Sequence, residues 1–285
     1  MNGILIINKP KNFTSHDVVA KVKKICKQKV GHTGTLDPNA TGVLPLLIGK
    51  ATLISKYLIN HDKEYVATLK LGIKTDTADG EGNIVIQKEV NSNIDVEKIK
   101  SVFSNMIGKQ KQIPPMYSAI KVNGKKLYEY ARKGETVKIE PREIELYNLE
   151  LIDYNTNIHE IIFKISCSKG TYIRTVCEDI AEHLETVGYM KELKRTKVGI
   201  FNIESAINIE ELDENNFEKY LISIDELFSD LEDITIQQNE LKLLLNGVKL
   251  DKKQYKNGLY KIYNESNFIG IGTVEEGKLK RDVII

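Results

Sequence analysis

A chain of 285 residues, 41% hydrophobic and 28% charged, has the composition of a globular protein with a real core, in one large domain or in one large and one small. A formal net charge of +1 excludes a uniformly basic polyanion binder, so a surface for such a partner must come from uneven charge. Three cysteines, widely spread and in no C-x-x-C pair, argue against a disulfide framework or a zinc site. They predict a reducing compartment. With no leader-like N-terminus and no apolar run of membrane-spanning length, the expected location is the cytoplasm, away from any membrane.

Charge is indeed uneven. Lysines at 9, 11, 21, 23, 24, 27 and 29 crowd the first stretch, whereas Glu204 to Asp233 is acidic with Lys219 its only base. The arginines are Arg132, Arg142, Arg174, Arg195 and Arg281 alone, and each draws attention because a planar guanidinium forks onto carboxylate or phosphate as lysine cannot.

In chain order, Gly3 to Ile7 reads as a buried strand ending in Asn8-Lys9-Pro10-Lys11. Thr14 or Ser15 can then cap a helix with Val18, Val19, Val22, Ile25 and Cys26 inward. Gly31-His32-Thr33-Gly34-Thr35-Leu36-Asp37-Pro38-Asn39-Ala40-Thr41-Gly42-Val43-Leu44-Pro45 follows, a turn-rich loop with three glycines, two prolines, a histidine and an aspartate, running into the apolar Leu46-Leu47-Ile48. Glycines permit close approach of a ligand, and Pro38 holds Asp37 extended. A phosphate-cradling loop does not fit: the spacing from Gly42 to Gly49-Lys50 is too long, and Ala51 stands where a hydroxyl is needed. Asp37 is either a solvated Asp-Pro turn or a carboxylate set beside buried surface.

Ala51 to Ile59 fits a helix, and Glu64 to Ile73 a strand with Tyr65, Ala67, Leu69 and Leu71 on one face. Thr75 to Gly82 is a loop dense in carboxylates. A helix runs from the Asp95 cap to Ile107 with Val96, Ile99, Val102, Phe103 and Met106 inward, stopped by Gly108. The stretch Gln112 to Gly134 interleaves lysines with tyrosines and one arginine, which suits either a nucleic-acid surface or a long solvated hairpin.

Glu143 to Asp153 and His159 to Ser168 read as paired strands, and Thr171 to Glu185 as a helix. Arg174 in its first turn works against the helix dipole, which predicts a carboxylate partner, elsewhere in the fold or at Glu178 one turn on. Val187 to Phe201 suggests a strand, and a helix is expected around Phe217 to Phe228. Beyond Asp233, Leu241 to Leu245, an Asn246-Gly247 turn, and short strands at Leu259 to Tyr263 and Phe268 to Val274 make a small β-rich appendage.

The loop Gly31 to Pro38 with Ala40 to Pro45 closely resembles the catalytic motif of the TruB-type tRNA pseudouridine synthases. Lys9-Pro10, Lys63-Glu64-Tyr65-Val66-Ala67, Pro114 to Lys121 through Tyr128 and Ala131-Arg132, and Lys169-Gly170-Thr171-Tyr172-Ile173-Arg174 resemble the family's other motifs, in order. The resemblance implies an α+β fold: a mixed, mainly antiparallel sheet with flanking helices, plus a small β-rich C-terminal module. It divides the chain into a catalytic domain over 1–228, with a thumb-like insertion at about 121–138, and a PUA-like RNA-binding module over 234–285.

The activity implied is cofactor-free isomerisation of uridine 55 in the tRNA T loop to pseudouridine. The tRNA partner would be held by its T stem-loop and acceptor stem, without an obligate protein partner. Carried over residue by residue, Asp37 is the catalytic carboxylate, Tyr65 stacks on the target base and Arg174 pairs with Asp37. His32 takes the flipped nucleotide's place in the T loop, Tyr172 sits in the pocket and Leu193 packs near the base; Lys9, Thr35, Lys121 and Arg132, within the matching motifs, are the further substrate contacts. Lys194 departs from the pattern, standing where many members have a second arginine before Arg195.

Each residue also has a structural reading of its own. Tyr65 can be a core tyrosine, His32 a turn residue and Tyr172 a helix-terminal aromatic. The residues leave open attack at C1′, attack at C6 and a glycal route, and also a non-catalytic tRNA binder or a guide-RNA-dependent synthase.

Overall fold

The computed structural model describes residues 2–285. Ten strands form one mixed sheet: β1 (Gly3–Lys9), β2 (Val30–His32), β3 (Thr41–Ile48), β4 (Lys63–Leu71), β5 (Gly108–Gln112), β6 (Arg142–Asn155), β7 (Glu160–Cys167), β8 (Gly188–Val198), β9 (Phe201–Asn202) and β10 (Ile207–Asn208). Across the sheet the order is β10-β1-β3-β8-β4-β7-β6-β5, with β2 on β3 and β9 on β8. Only β1 with β10 and β3 with β8 run parallel; the other pairings are antiparallel.

Three helices cover it. In α1 (Ser15–Cys26), Thr14 closes a capping box with Asp17, and Val18, Val19, Val22 and Cys26 are buried against Leu5, Ile7, Leu44 and Leu46. In α2 (Val96–Met106), the Asp95 carboxylate accepts from the Lys98 amide at 2.8 Å, and Ile99, Val102, Phe103 and Met106 point inward; Val96, expected inward, is exposed. In α3 (Ile173–His183), Val176, Cys177 and Ile180 join the alternating Tyr65, Ala67, Leu69 and Leu71 of β4 in the largest core cluster. The alternation of β4 is as its sequence pattern predicts.

Several elements differ from the pattern reading. The expected helix over 51–59 is a 3₁₀ segment, Gly49–Ile54, and a single α-turn, Ser55–Leu58, while the expected helix around 217–228 splits into Phe217–Tyr220 and Ile224–Leu227. Gly108 ends α2 as expected, at φ 115°, but starts β5, an edge strand whose Lys and Gln residues carry no apolar signal.

A second sheet of five strands holds Asp233–Ile236, Leu250–Asp251, Gly258–Asn264, Asn267–Glu275 and Lys278–Ile284, beside a helix at Gln238–Leu245. It has its own core around Ile234, Leu244, Ile262, Val274 and Leu279. Val283 and Phe268 pack with Ile4 and Val43 of the large sheet and Ile54 of the 3₁₀ segment, Lys56 and Tyr57 both bond Asp282, and Lys261 pairs with Asp225 at 3.2 Å. Among the described residues, no helix is long and apolar enough to cross a membrane.

Candidate active site

A cavity of about 800 Å³ opens where the loop between β2 and β3 meets β4, β8 and the start of α3. Thr33, Gly34, Thr35, Leu36 and Asp37 form one wall, and Tyr65, Tyr172, Met190 and Leu193 supply aromatic and apolar surface. Lys63, Arg142 and Lys169 add cations.

The loop is pinned from below. Ser15 Oγ accepts from the Leu36 amide at 2.8 Å and donates to the Leu36 carbonyl at 3.2 Å. The Pro38 carbonyl accepts from the Asn12 amide at 2.9 Å and from Lys9 Nζ at 3.0 Å. Lys9 is fully buried, its ammonium also donating to Pro10 and Phe13 carbonyls, and it does not line the cavity. Burial lowers its pKa to about 8, while the Asp37 carboxylate pulls in the opposite direction.

Asp37 keeps 43% of its side chain exposed and meets Arg174 Nη2 at 3.2 Å. Arg174 is 6% exposed and splits its fork: Nη1 reaches Asp79 Oδ2 at 3.4 Å and the Thr77 carbonyl at 3.3 Å, and Nη2 the Tyr117 carbonyl at 2.9 Å. The opposed dipole at the start of α3 is thus offset by two carboxylates brought from elsewhere. Glu178, the alternative partner on the same helix, is instead 3.0 Å from Lys74. Asp79 is itself oriented by Thr77 Oγ1 at 2.6 Å and the Glu81 amide at 3.1 Å.

Tyr65 is 7% exposed, and burial raises its hydroxyl pKa against the pull of the Arg195 charge, so the phenol is neutral at pH 7. Tyr172 stands at the N-cap of α3, where its amide and carbonyl bond the buried Gln112 side chain at 2.8 and 3.1 Å. Thr35 lines the cavity and gives its carbonyl to Arg195 Nη1 at 3.4 Å. His32 lies on β2 off the cavity lining, with a buried Nδ1 that has no partner among the described residues; burial, then the Arg195 charge, lowers its pKa and keeps it neutral at pH 7.

The opposite wall is the 117–134 stretch. Tyr117, Ser118 and Tyr128 line the cavity, while Lys121 sits on a hairpin, Lys121–Val122 with Lys125–Lys126, that does not. Arg132 and Lys126 flank the Tyr128 ring at 5.4 and 5.3 Å, off the lining themselves. Asp37, Tyr65, Arg174, Tyr172, Leu193 and Thr35 therefore share one cavity; Lys9, His32, Lys121 and Arg132 lie around it.

Asp79, Gln112, Arg142 and Arg195 are the residues that the pattern did not single out for the site. Their signals were slight: a carboxylate-dense loop for Asp79, and the scarcity of arginine for the other two charges. Among the described residues, no group of three or more His, Cys, Asp or Glu is placed to hold a metal ion. The arrangement offers one half-exposed carboxylate on a buried guanidinium, aromatic and apolar surface from Tyr65, Tyr172, Met190 and Leu193, and lining cations at Lys63, Arg142 and Lys169.

Comparison with known proteins gives three family models in succession. The TruB family pseudouridylate synthase N-terminal domain matches residues 22–173, the tRNA pseudouridylate synthase B C-terminal domain 174–235, and the C-terminal region of pseudouridine synthase II TruB 233–283. The chain is 46% identical over 278 residues to tRNA pseudouridine synthase B of Clostridium tetani, covering 95% of each, and 42% identical to that of Clostridium kluyveri, covering 98% of each. Among solved structures, a chain of a Cbf5–Nop10–Gar1 complex superposes with a TM-score of 0.70 at 26% identity, covering 95% of this chain and 78% of that one.

Proposed function

Because the chain belongs to the TruB family of pseudouridylate synthases, we propose that it converts uridine 55 in the T loop of tRNA to pseudouridine, with Asp37 as the reacting carboxylate. The observation that carries this reading is the Asp37–Arg174 pair on the lining of a cavity large enough for an extruded nucleotide, with Asp79 holding Arg174 from behind.

Isomerisation breaks a C–N glycosidic bond, turns the base and forms a C–C bond. The atoms involved are hidden in a folded loop, so the nucleotide is first flipped out, at a few kcal/mol. Stacking on Tyr65 returns about 1–3 kcal/mol of that. Arg174 meets the Asp37 carboxylate at 3.2 Å and so fixes its orientation in the cavity, and Asp79 holds Arg174 from its other side. Attack at C1′, attack at C6 and glycal elimination all draw on that same carboxylate.

Residues 1–228 form the catalytic unit in this reading, with 121–138 closing on the T loop and 234–285 as a PUA-like module directed to the acceptor stem. Lys63, Arg142 and Lys169 meet phosphates at the cavity mouth.

Tritium release from a tRNA transcript labelled at uracil C5 tests the proposal, using the purified chain alone. Release is expected with the wild type and abolished in Asp37→Asn, with tRNA binding retained. Binding without release in the wild type would make the protein a tRNA binder, and release only with added guide RNA and partner proteins would make it a guide-dependent synthase.

A further inference from the structure

Arg195 is the largest fully buried side chain among the described residues, 1% exposed, and none of the roles carried over above falls on it. It sits in β8 between the two elements that carry the reacting groups. On one side it is the register partner of Tyr65 in β4; on the other it is the partner of Gly42 in β3, just after the Asp37 loop. Cross-strand partners project to one face, which brings the guanidinium beside the Tyr65 ring and onto the cavity lining.

The approach to β3 is close. Gly42 has φ 104°, and a Cβ there would lie 2.1 Å from the Arg195 carbonyl oxygen, so glycine lets the two strands meet. Across this junction the guanidinium spreads three donors onto the loop: Nη2 to the Gly34 carbonyl at 3.1 Å, Nη1 to Thr35 at 3.4 Å and Nε to Val43 at 2.8 Å. These carbonyls lie on both arms of the loop, before and after Asp37. A buried cation satisfied by three backbone carbonyls is an unusual use of arginine, and only a planar fork spans these acceptors at once.

We propose that Arg195 is a positioning residue for the isomerisation: it locks both arms of the Asp37 loop against the Tyr65 strand and so fixes the carboxylate relative to the stacked nucleotide. Ser15 and Lys9 hold the loop from the α1 side, and Arg195 holds it from the side of the base. The role rests on the proposed uridine isomerisation, whose failure is visible in the wild type before any variant is made: a wild-type chain without turnover refutes that reading, and this one with it.

The test compares Arg195→Lys and Arg195→Met by single-turnover tritium release at saturating enzyme, by tRNA binding and by thermal unfolding. A loop displaced by an ångström costs about 100-fold in rate, and both variants are expected to slow by that factor. Their tRNA dissociation constants should stay within about threefold of wild type, since the guanidinium acts in the reaction and not in the grip. Lysine is not expected to rescue, because a single ammonium cannot reach both arms. A folded Arg195→Lys variant at the wild-type rate overturns the proposal, as does a fall in rate fully explained by weaker binding. Should Arg195→Met fail to fold, Arg195→Lys decides; unfolding of Arg195→Lys as well overturns the positioning role in favour of a purely structural one.

Discussion

The two walls of the cavity are built on opposite principles. The wall bearing Asp37 is fixed by buried polar groups that bond backbone carbonyls: Arg195, Lys9 and Ser15 together hold Gly34, Thr35, Leu36, Pro38 and Val43, and Arg174 meets the Asp37 carboxylate. The 121–138 part of the opposite wall is largely exposed, and its cations, Lys125, Lys126 and Arg132, lie against the half-buried rings of Tyr128 and Tyr130. A wall that must set a carboxylate within fractions of an ångström is over-determined, while a wall that must admit and release a large polyanion is not. The first should govern turnover, and the second should govern grip.

The sharpest separation is expected from Asp37→Asn, which removes the charge at the centre of the rigid wall. Turnover should fall by roughly three orders of magnitude or more while tRNA binding changes little. Arg174→Lys comes next. One ammonium cannot serve Asp37, Asp79 and the Thr77 and Tyr117 carbonyls together, so single-turnover rate should drop by about 100-fold with binding retained. A thumb variant carrying Lys125→Ala, Lys126→Ala and Arg132→Ala should do the reverse, weakening tRNA binding by about tenfold at moderate salt. The slope of log affinity against log salt should shrink by about one for each phosphate that the variant no longer neutralises, with the rate at saturating enzyme near wild type. If the thumb variant slows the saturated rate instead, the division between the walls fails.

The smallest effect concerns Lys9. Burial holds its pKa at about 8 in the folded chain against 10.5 when free. Between these values the unfolded chain binds the extra proton, so this residue adds stability as pH rises from about 8 to 10.5. Lys9→Met lacks that gain. The difference in urea midpoint between wild type and variant should therefore move in favour of the wild type across that window, and a difference independent of pH would show that Lys9 titrates normally.

The parts of the site legible in the sequence are those whose signal is local. Asp37 stands out through its own glycines and Pro38, and Arg174 through its unfavourable place in a helix first turn. Asp79 and Arg195 were not legible, because their roles depend on partners 95 to 161 residues away. Asp79 meets Arg174 across 95 positions, and the pairing of Arg195 with Tyr65 follows from strand register between Met190/Glu192 and Arg195/Lys197 irregularities that no periodicity predicts.

The fold divides similarly. The amphipathic α1, α2 and α3 and the alternating β4 follow from their periods. The polar edge strand Gly108–Gln112 carries no apolar pattern, and β3 begins at Thr41, inside what reads as loop, because pairing with β1 extends to Gly42. The helix at Gln238–Leu245, a short apolar run in sequence, is settled by its capping box with Glu240.

The central claim is that this cavity isomerises one uridine of free tRNA. Mapping pseudouridine at nucleotide resolution in an unmodified tRNA, after incubation with the purified chain alone, tests it most directly. A single new pseudouridine at position 55 is predicted. No pseudouridine, or pseudouridine elsewhere with position 55 untouched, would contradict it.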